Sequence, residues 1–249
     1  MPAQTLDEVI TALDEIIAAE IAQRSRLGFF AVLYREVTVQ VQAGIANRRF
    51  EDGARMERLD VIFANRYLAA YENFQKGLPA SACWEAAFEA TPAWRPLILQ
   101  HLLLGINAHI NLDLGIAAAQ TSPGAALPAL ENDFNEINKI LSGLLDEVQA
   151  KIGKLSPWLR WLDYAGKGID EAVFNFSLKI ARREAWKVAE RFALLSPQEQ
   201  PQEIVVLDGK VAKLAQRILS PGWLIGSVAF LIKLRESDDV PHIIAVLRE

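Results

Sequence analysis

The sequence predicts an all-α fold: a single-domain multi-helix bundle over residues 1–249, built around a central apolar helix at about residues 95–120. Three observations predict it. Apolar residues recur at helical spacing in most long segments, and no set of alternating segments supplies a strand with partners. Caps and Gly/Pro stops bound these segments at helix-like intervals. One segment is apolar on every side, as a helix in the middle of a bundle is.

The elements follow in order. Thr5-Leu6-Asp7-Glu8 is a capping box opening a helix of roughly 5–25, with Ile10, Leu13, Ile16, Ile17 and Ile21 on its apolar face. From Phe29 to Ala46 the alternation of Val37, Val39 and Val41 suits a strand, but Phe30, Leu33, Tyr34, Val37, Val41 and Ile45 fit one helical face over a longer window. Without a partner strand, helix is the consistent reading. A helix from about Met56 to Lys76 stops at Gly77-Leu78-Pro79, and Ser81 stands where the cap of a short helix belongs. The apolar helix follows, then a Pro123-Gly124 loop and a long helix from Leu130 to near Gly153 with Phe134, Ile137, Leu141, Leu144 and Val148 in its seam. Ser156-Pro157 opens a short helix with Trp158, Trp161 and Leu162, and Gly166 and Gly168 precede a helix of about 169–195. A polar linker at 196–203 leads to helices at about 204–219 and 222–236, and to an amphipathic piece after Pro241.

Composition narrows the class. Hydrophobic residues make up 51% and charged residues 23%, with a net charge of −5 and no basic run, which argues against a nucleic-acid partner. Cys83 is the only cysteine, so neither an intrachain disulfide nor a thiolate metal cluster is possible. The first residues lack the basic and apolar segments of a signal peptide, and the apolar stretches 97–106 and 223–232 fall short of a membrane span. The expectation is a cytoplasmic protein without a transmembrane segment.

The central helix breaks its own apolar pattern. His101, Gly105, His109 and Asp113 form a stripe at spacing four, while Gln100, Asn107 and Asn111 lie near the opposite side. Gly105 leaves room for a ligand, a water or a close helix. His109 and Asp113, one turn apart, can share a metal ion or a proton. His101 stands about 12 Å of rise from His109, too far to join the same ion. The other ligand donor is Asp60, on a helix where Asp60, Ala64, Tyr67 and Tyr71 share a face. Candidate catalytic residues are His101, His109, Asp113 and Asp60, and the candidate metal set is His109, Asp113 and Asp60. Asn65, Tyr67, Tyr71, Asn107 and Asn111 are candidate substrate contacts. A histidine with a carboxylate at i+4 also forms as a purely structural pair, and the amides equally serve to tie the core helix to its neighbours. Arg182 can stack on Trp186, His242 reads as a surface residue, and Trp158 and Trp161 can pack or gate a pocket.

Arg58-Leu-Asp-Val-Ile-Phe-Ala-Asn-Arg-Tyr-Leu68 and His101-Leu-Leu-Leu-Gly-Ile-Asn-Ala-His-Ile-Asn-Leu-Asp-Leu-Gly115 resemble domain-of-unknown-function family 5995, found in bacteria and some fungi. The resemblance implies a helical fold and supplies no activity. A looser likeness, through His109 and Asp113, is to the all-helical zinc-dependent phospholipase C and nuclease group. With three histidines the chain departs from that group's trinuclear centre, so the likeness implies one metal at most.

An enzyme, a carrier or a scaffold is therefore expected, the enzyme first. Its leading form is a hydrolase of esters or phosphoesters in which a single divalent zinc, manganese or magnesium ion activates water. The alternative is metal-free His–Asp acid–base chemistry in an isomerase or cyclase, or a non-catalytic carrier of a small apolar or amphipathic molecule. A scaffold would instead expose an apolar face on the Trp223–Leu234 helix.

Overall fold

The computed structural model describes residues 1–159 and 178–249. The expectations for Trp161, Leu162, Gly166, Gly168 and 169–177 lie outside the described residues. Every regular element among the described residues is helical, as expected: α1 (Leu6–Gln23), α2 (Gly28–Ala46), α3 (Gly53–Gln75), α4 (Ala82–Glu89), α5 (Ile98–Thr121), a 3₁₀ turn (Gly124–Leu130), α6 (Glu131–Leu155), α7 (Leu178–Phe192), α8 (Gln200–Leu219), α9 (Trp223–Lys233) and α10 (Val240–Arg248).

Local chemistry explains the boundaries. Thr5 Oγ1 accepts from Glu8 N at 3.2 Å, while the Glu8 carboxylate reaches past Thr5 to Gln4 N at 2.6 Å. In α2 the buried positions Phe30, Tyr34, Thr38 and Val41 step by four and three, which settles this segment as helix. The Arg35–Asp14 pair, at 2.7 and 3.1 Å, fastens α2 to α1. Helix α3 begins three residues ahead of Met56 because Asp52 caps Arg55 N at 2.9 Å. Buried Asp133 of α6 holds the same corner by accepting from Glu51 N, Asp52 N and Arg55 Nη2. Gly77, at φ 66°, ends α3 in the left-handed region that glycine adopts without strain.

Helix α4 corrects one expectation. Ser81 occupies the cap position without a side-chain capping bond. The Asp208 carboxylate, from α8, instead accepts from Ala82 N and Cys83 N at 2.7 and 2.9 Å. Arg182 is a second correction: it is 3% exposed and lies over Phe134, 4.4 Å from the ring centroid, rather than on Trp186. Its guanidinium donates to Asn138 Oδ1 and the Phe134 carbonyl, and burial lowers its pKa to about 9. The polar linker is shorter than expected, since α8 starts at Gln200.

Helix α5 is the centre of the bundle and packs against α2, α3, α4, α7 and α8. The two short apolar stretches understate it. As one 24-residue helix it is long and apolar enough to cross a membrane, with 78% of its most apolar window buried within the protein. Two glycines let neighbours approach. A Cβ at Gly105 would stand 2.4 Å from Phe30 Cδ2, and one at Gly115 would stand 2.5 Å from the Ala185 carbonyl oxygen. The space at Gly105 is therefore filled by a phenyl ring from α2. Helix α9 leaves Trp223, Leu224, Phe230, Leu231 and Leu234 exposed, the face the scaffold reading anticipates.

Candidate active site

Between His109 and Leu114 the α-helical ladder of α5 widens into a π-helical segment. Such one-turn widenings occur disproportionately at functional sites, because the extra residue re-aims side chains at a cost in backbone hydrogen bonding. Here the segment carries His109 and Asp113.

An aromatic box surrounds the His109 imidazole. Phe63 of α3 stacks on it at 3.5 Å between centroids, and Tyr34 of α2 meets it edge-on at 4.3 Å. Phe30, Trp84 and Tyr67 complete the walls at 5.6, 6.0 and 6.3 Å. The box forms because α2, α3 and α4 each place an aromatic position of their buried face against the same turn of α5.

Asp113 is held from two sides. Arg66 Nε donates to Oδ1 at 2.8 Å and Trp84 Nε1 donates to Oδ2 at 2.9 Å. His109 Nδ1 stands 3.5 Å from Oδ2, close enough for electrostatic coupling and too far for a good hydrogen bond. Arg66 is 23% exposed and connects this otherwise buried group to the surface.

Among the described residues, four polar atoms of the box are buried without a hydrogen-bond partner, both nitrogens of His109 and the hydroxyls of Tyr34 and Tyr67, and so is Oδ2 of Asp60, whose charge acts on Tyr34. Burial shifts their titrations. It lowers the His109 pKa against the opposing pull of Asp113, so the ring is neutral at neutral pH. It raises the Asp60 carboxyl to about 7. It raises the Tyr34 phenol well above its ordinary value, with the neighbouring Asp60 carboxyl adding to the effect, and it raises that of Tyr67.

The other candidates separate from this box. His101 is 5% exposed and touches Phe29 edge-on at 6.0 Å; both its nitrogens lack partners, and burial, with Arg26 and Lys233 nearby, lowers its pKa to about 3. Tyr71 donates to buried Glu20, which also accepts from Gln75. Asn65 closes a two-bond clamp on the backbone of Ala3, both at 2.8 Å. The amide stripe is largely a tie to α8. Gln100 donates to the Ile218 carbonyl and Asn107 to that of Val211, while Asn111 donates to Asn107. Asn111 also lines a surface groove of about 370 Å³ between α7 and α8, whose walls include neither His109 nor Asp113.

Sequence reasoning missed Tyr34, Phe30, Phe63, Arg66 and Trp84. Arg66 and Phe63 lie inside the Arg58–Leu68 motif and were legible as its polar and aromatic members. Trp84, on an eight-residue helix, carried no signal of its own.

The expected metal set does not assemble. Among the described residues no group of three or more His, Cys, Asp or Glu side chains is gathered to hold an ion. Where His109, Asp113 and Asp60 would surround a cation, Asp113 already faces the Arg66 guanidinium.

The profile of a family of unknown function, DUF5995, matches residues 6–221, and the chain belongs to that family. No curated protein and no solved structure matches the chain, and the likeness to the zinc-dependent phospholipase C group gains no support from these comparisons.

Proposed function

We propose that this member of the DUF5995 family performs metal-independent acid–base chemistry on a small, largely apolar molecule, with His109 as the proton-transfer group. One observation carries the reading: among the described residues four buried polar atoms of the aromatic box at the π-helical turn have no hydrogen-bond partner, and Asp60 Oδ2, whose charge acts on Tyr34, is a fifth. Each such atom costs about 1–3 kcal/mol of stability, and a cluster of them calls for a role, of which catalysis is one.

The roles follow from the environments. Neutral His109 is a base. Asp113, fixed by Arg66 and Trp84 3.5 Å from the imidazole, stabilises its protonated form. Asp60, titrating near 7, exchanges protons at neutral pH, where general acid–base groups are most effective. Tyr34 and Tyr67 keep their protons and donate hydrogen bonds to a substrate oxygen. Phe30, Phe63 and Trp84 hold the apolar body and exclude water. Phe63 covers the imidazole face, so a substrate reaches it by displacing that ring.

A water-excluding box suits a proton shift more than hydrolysis. His109 removes a proton from carbon beside a carbonyl while a tyrosine hydroxyl hydrogen-bonds the developing enolate oxygen. The imidazolium, whose proton exchanges with solvent, then protonates the other end of the unsaturated system, and the products balance the reactants. The test is deuterium exchange in D₂O from a panel of β,γ-unsaturated ketones and esters, followed by mass spectrometry. Exchange above the protein-free rate that falls at least 100-fold in His109→Gln and at least tenfold in Tyr34→Phe supports the proposal. Exchange unaffected by His109→Gln overturns it, as does no exchange across the panel. The thermal stability of Tyr34→Phe and Tyr67→Phe supplies a second measurement. Both variants should melt at or above the wild-type temperature, because each removes an unsatisfied hydroxyl; a clear loss would assign the hydroxyls a structural bond.

A further inference from the structure

The groove between α7 and α8 lies apart from the box, and its lining differs in chemistry. Helices α7 and α8 both pack on α5 but barely on each other. Close seating of α7 at Gly115 and the Asn107–Val211 bond fix the two helices separately to the core helix. The open space between them is about 370 Å³, within the range of small-molecule sites of about 300–1,000 Å³.

Its walls are apolar, formed by Val188, Leu207, Val211 and Leu214. Its lining includes the Asn111 amide, which donates one hydrogen bond to Asn107 and, among the described residues, leaves its carbonyl oxygen and second N–H to a ligand. Three cations, Lys187, Arg191 and Lys210, stand on the lining against one carboxylate, Glu184. Lys187 pairs with Glu184 at 2.8 Å and Arg191 with Glu203 at 2.9 Å, whereas Lys210 makes no ion pair among the described residues. Apolar walls with a net cationic rim match a molecule with an apolar chain and an anionic head. The volume admits a medium-length chain and not a folded helix, whose diameter is about 10–12 Å.

We infer that this groove binds a small single-chain carboxylate amphiphile, its chain along Val188, Leu207 and Leu214 and its head at Lys210 and Lys187. The inference is independent of the chemistry proposed at His109.

The experiment is a ¹H–¹⁵N NMR and calorimetric titration of the full chain with octanoate, with 1-octanol and acetate as controls. Octanoate should bind saturably, with shifts centred on Asn111, α7 and α8, at least tenfold more tightly than either control. Lys187→Glu combined with Lys210→Glu should weaken it at least tenfold. Both lysines are on the surface, so the variant retains its fold, and an unchanged melting temperature verifies this. Equal binding of 1-octanol would show that the rim charge plays no part, and equal binding of acetate would reveal a simple anion site. Either result overturns the inference, as would shifts confined elsewhere or no saturable binding.

Discussion

Phe63 lies flat on the His109 imidazole, with ring centroids 3.5 Å apart and planes 11° from parallel. The two rings come from different helices, so this contact joins α3 to the π-helical turn of α5 and also covers the group proposed to move protons. Removing the phenyl ring should leave a dry cavity lined by aromatic faces. Phe63→Ala is expected to lose about 3–5 kcal/mol. Added benzene or indole should restore part of that loss, because apolar cavities of this kind bind such molecules. Calorimetric melting with and without the additive checks this; no recovery would show that the neighbouring rings collapse into the gap.

Asp113 is the buried charge on which the local structure depends. Asp113→Ala leaves the Trp84 Nε1–H without its acceptor and Arg66 without its carboxylate. Breaking a buried pair from one side costs about 3–5 kcal/mol, and that is the expected loss in urea unfolding. Arg66→Met should cost less, since Arg66 reaches solvent.

His101 should govern part of the acid limb of stability. Its folded pKa is about 3 against an ordinary value of 6.5, so the unfolded chain binds a proton that the folded chain refuses across that window. Stability is complete above 6.5 and falls with decreasing pH by at most about 1.4 kcal/mol per unit until about pH 3. His101→Leu removes a ring with two unpartnered nitrogens. Its stability advantage over wild type should grow steadily from pH 6.5 to 4, measured by urea midpoints in parallel.

Asp60 acts with the opposite sign. Its folded pKa is raised to about 7 from 3.8, so the folded state keeps a proton that the unfolded chain has already lost. Its contribution is present in full below 3.8 and is lost as pH rises through 7, again by at most about 1.4 kcal/mol per unit. Asp60→Asn cannot ionise. The variant should gain on wild type between pH 4 and 7 and keep a constant advantage above that, and a flat difference across this range would place Asp60 in contact with solvent or a cation.

How much of this was legible in the sequence depended on whether the interaction was local. Thr5 announced its helix because the capping oxygen and the N–H that donates to it lie three residues apart. The stripe of His109 and Asp113 was visible because helical spacing fixes which side chains share a face. The caps supplied by Asp208 to α4 and by Asp133 to α3 span 125 and 81 residues, and no periodicity encodes them. The π-helical widening was hidden for a related reason. Residues His109–Leu114 satisfy an α-helical pattern equally well, and in the fold this turn packs against α3, α7 and α8, which no local spacing encodes. His101 and His109 share a stripe in one dimension, yet His101 meets Phe29 of α2, whereas His109 meets aromatic positions of α2, α3 and α4 together. The groove at Asn111 depends on how far α7 and α8 splay, which is a property of three helices together.

Gly105 offers a last test of the box. A Cβ at this position would approach Phe30 Cδ2, Cγ and Cβ to 2.4, 2.5 and 2.9 Å, so the phenyl ring must move. Phe30 in turn touches Tyr67, Trp84 and His109 at centroid distances of 5.1, 5.5 and 5.6 Å, and its displacement therefore reaches two walls of the box and the imidazole inside it. Alanine brings about 1 kcal/mol of helix propensity over glycine. Overpacking costs about 1–3 kcal/mol and here should exceed that gain, leaving Gly105→Ala less stable. If the clash with Phe30 is the whole cause, Gly105→Ala combined with Phe30→Leu should be more stable than the sum of the single variants by at least about 1 kcal/mol, the signature of coupled neighbours. Gly115→Ala provides the contrast. Its Cβ meets the Ala185 backbone carbonyl at 2.5 Å, and trimming Val188 to alanine should leave most of the loss in place because a main-chain oxygen cannot be trimmed. Additive losses in the Gly105–Phe30 cycle would mean that the ring already has room to turn aside, and that the box is looser than its contacts imply.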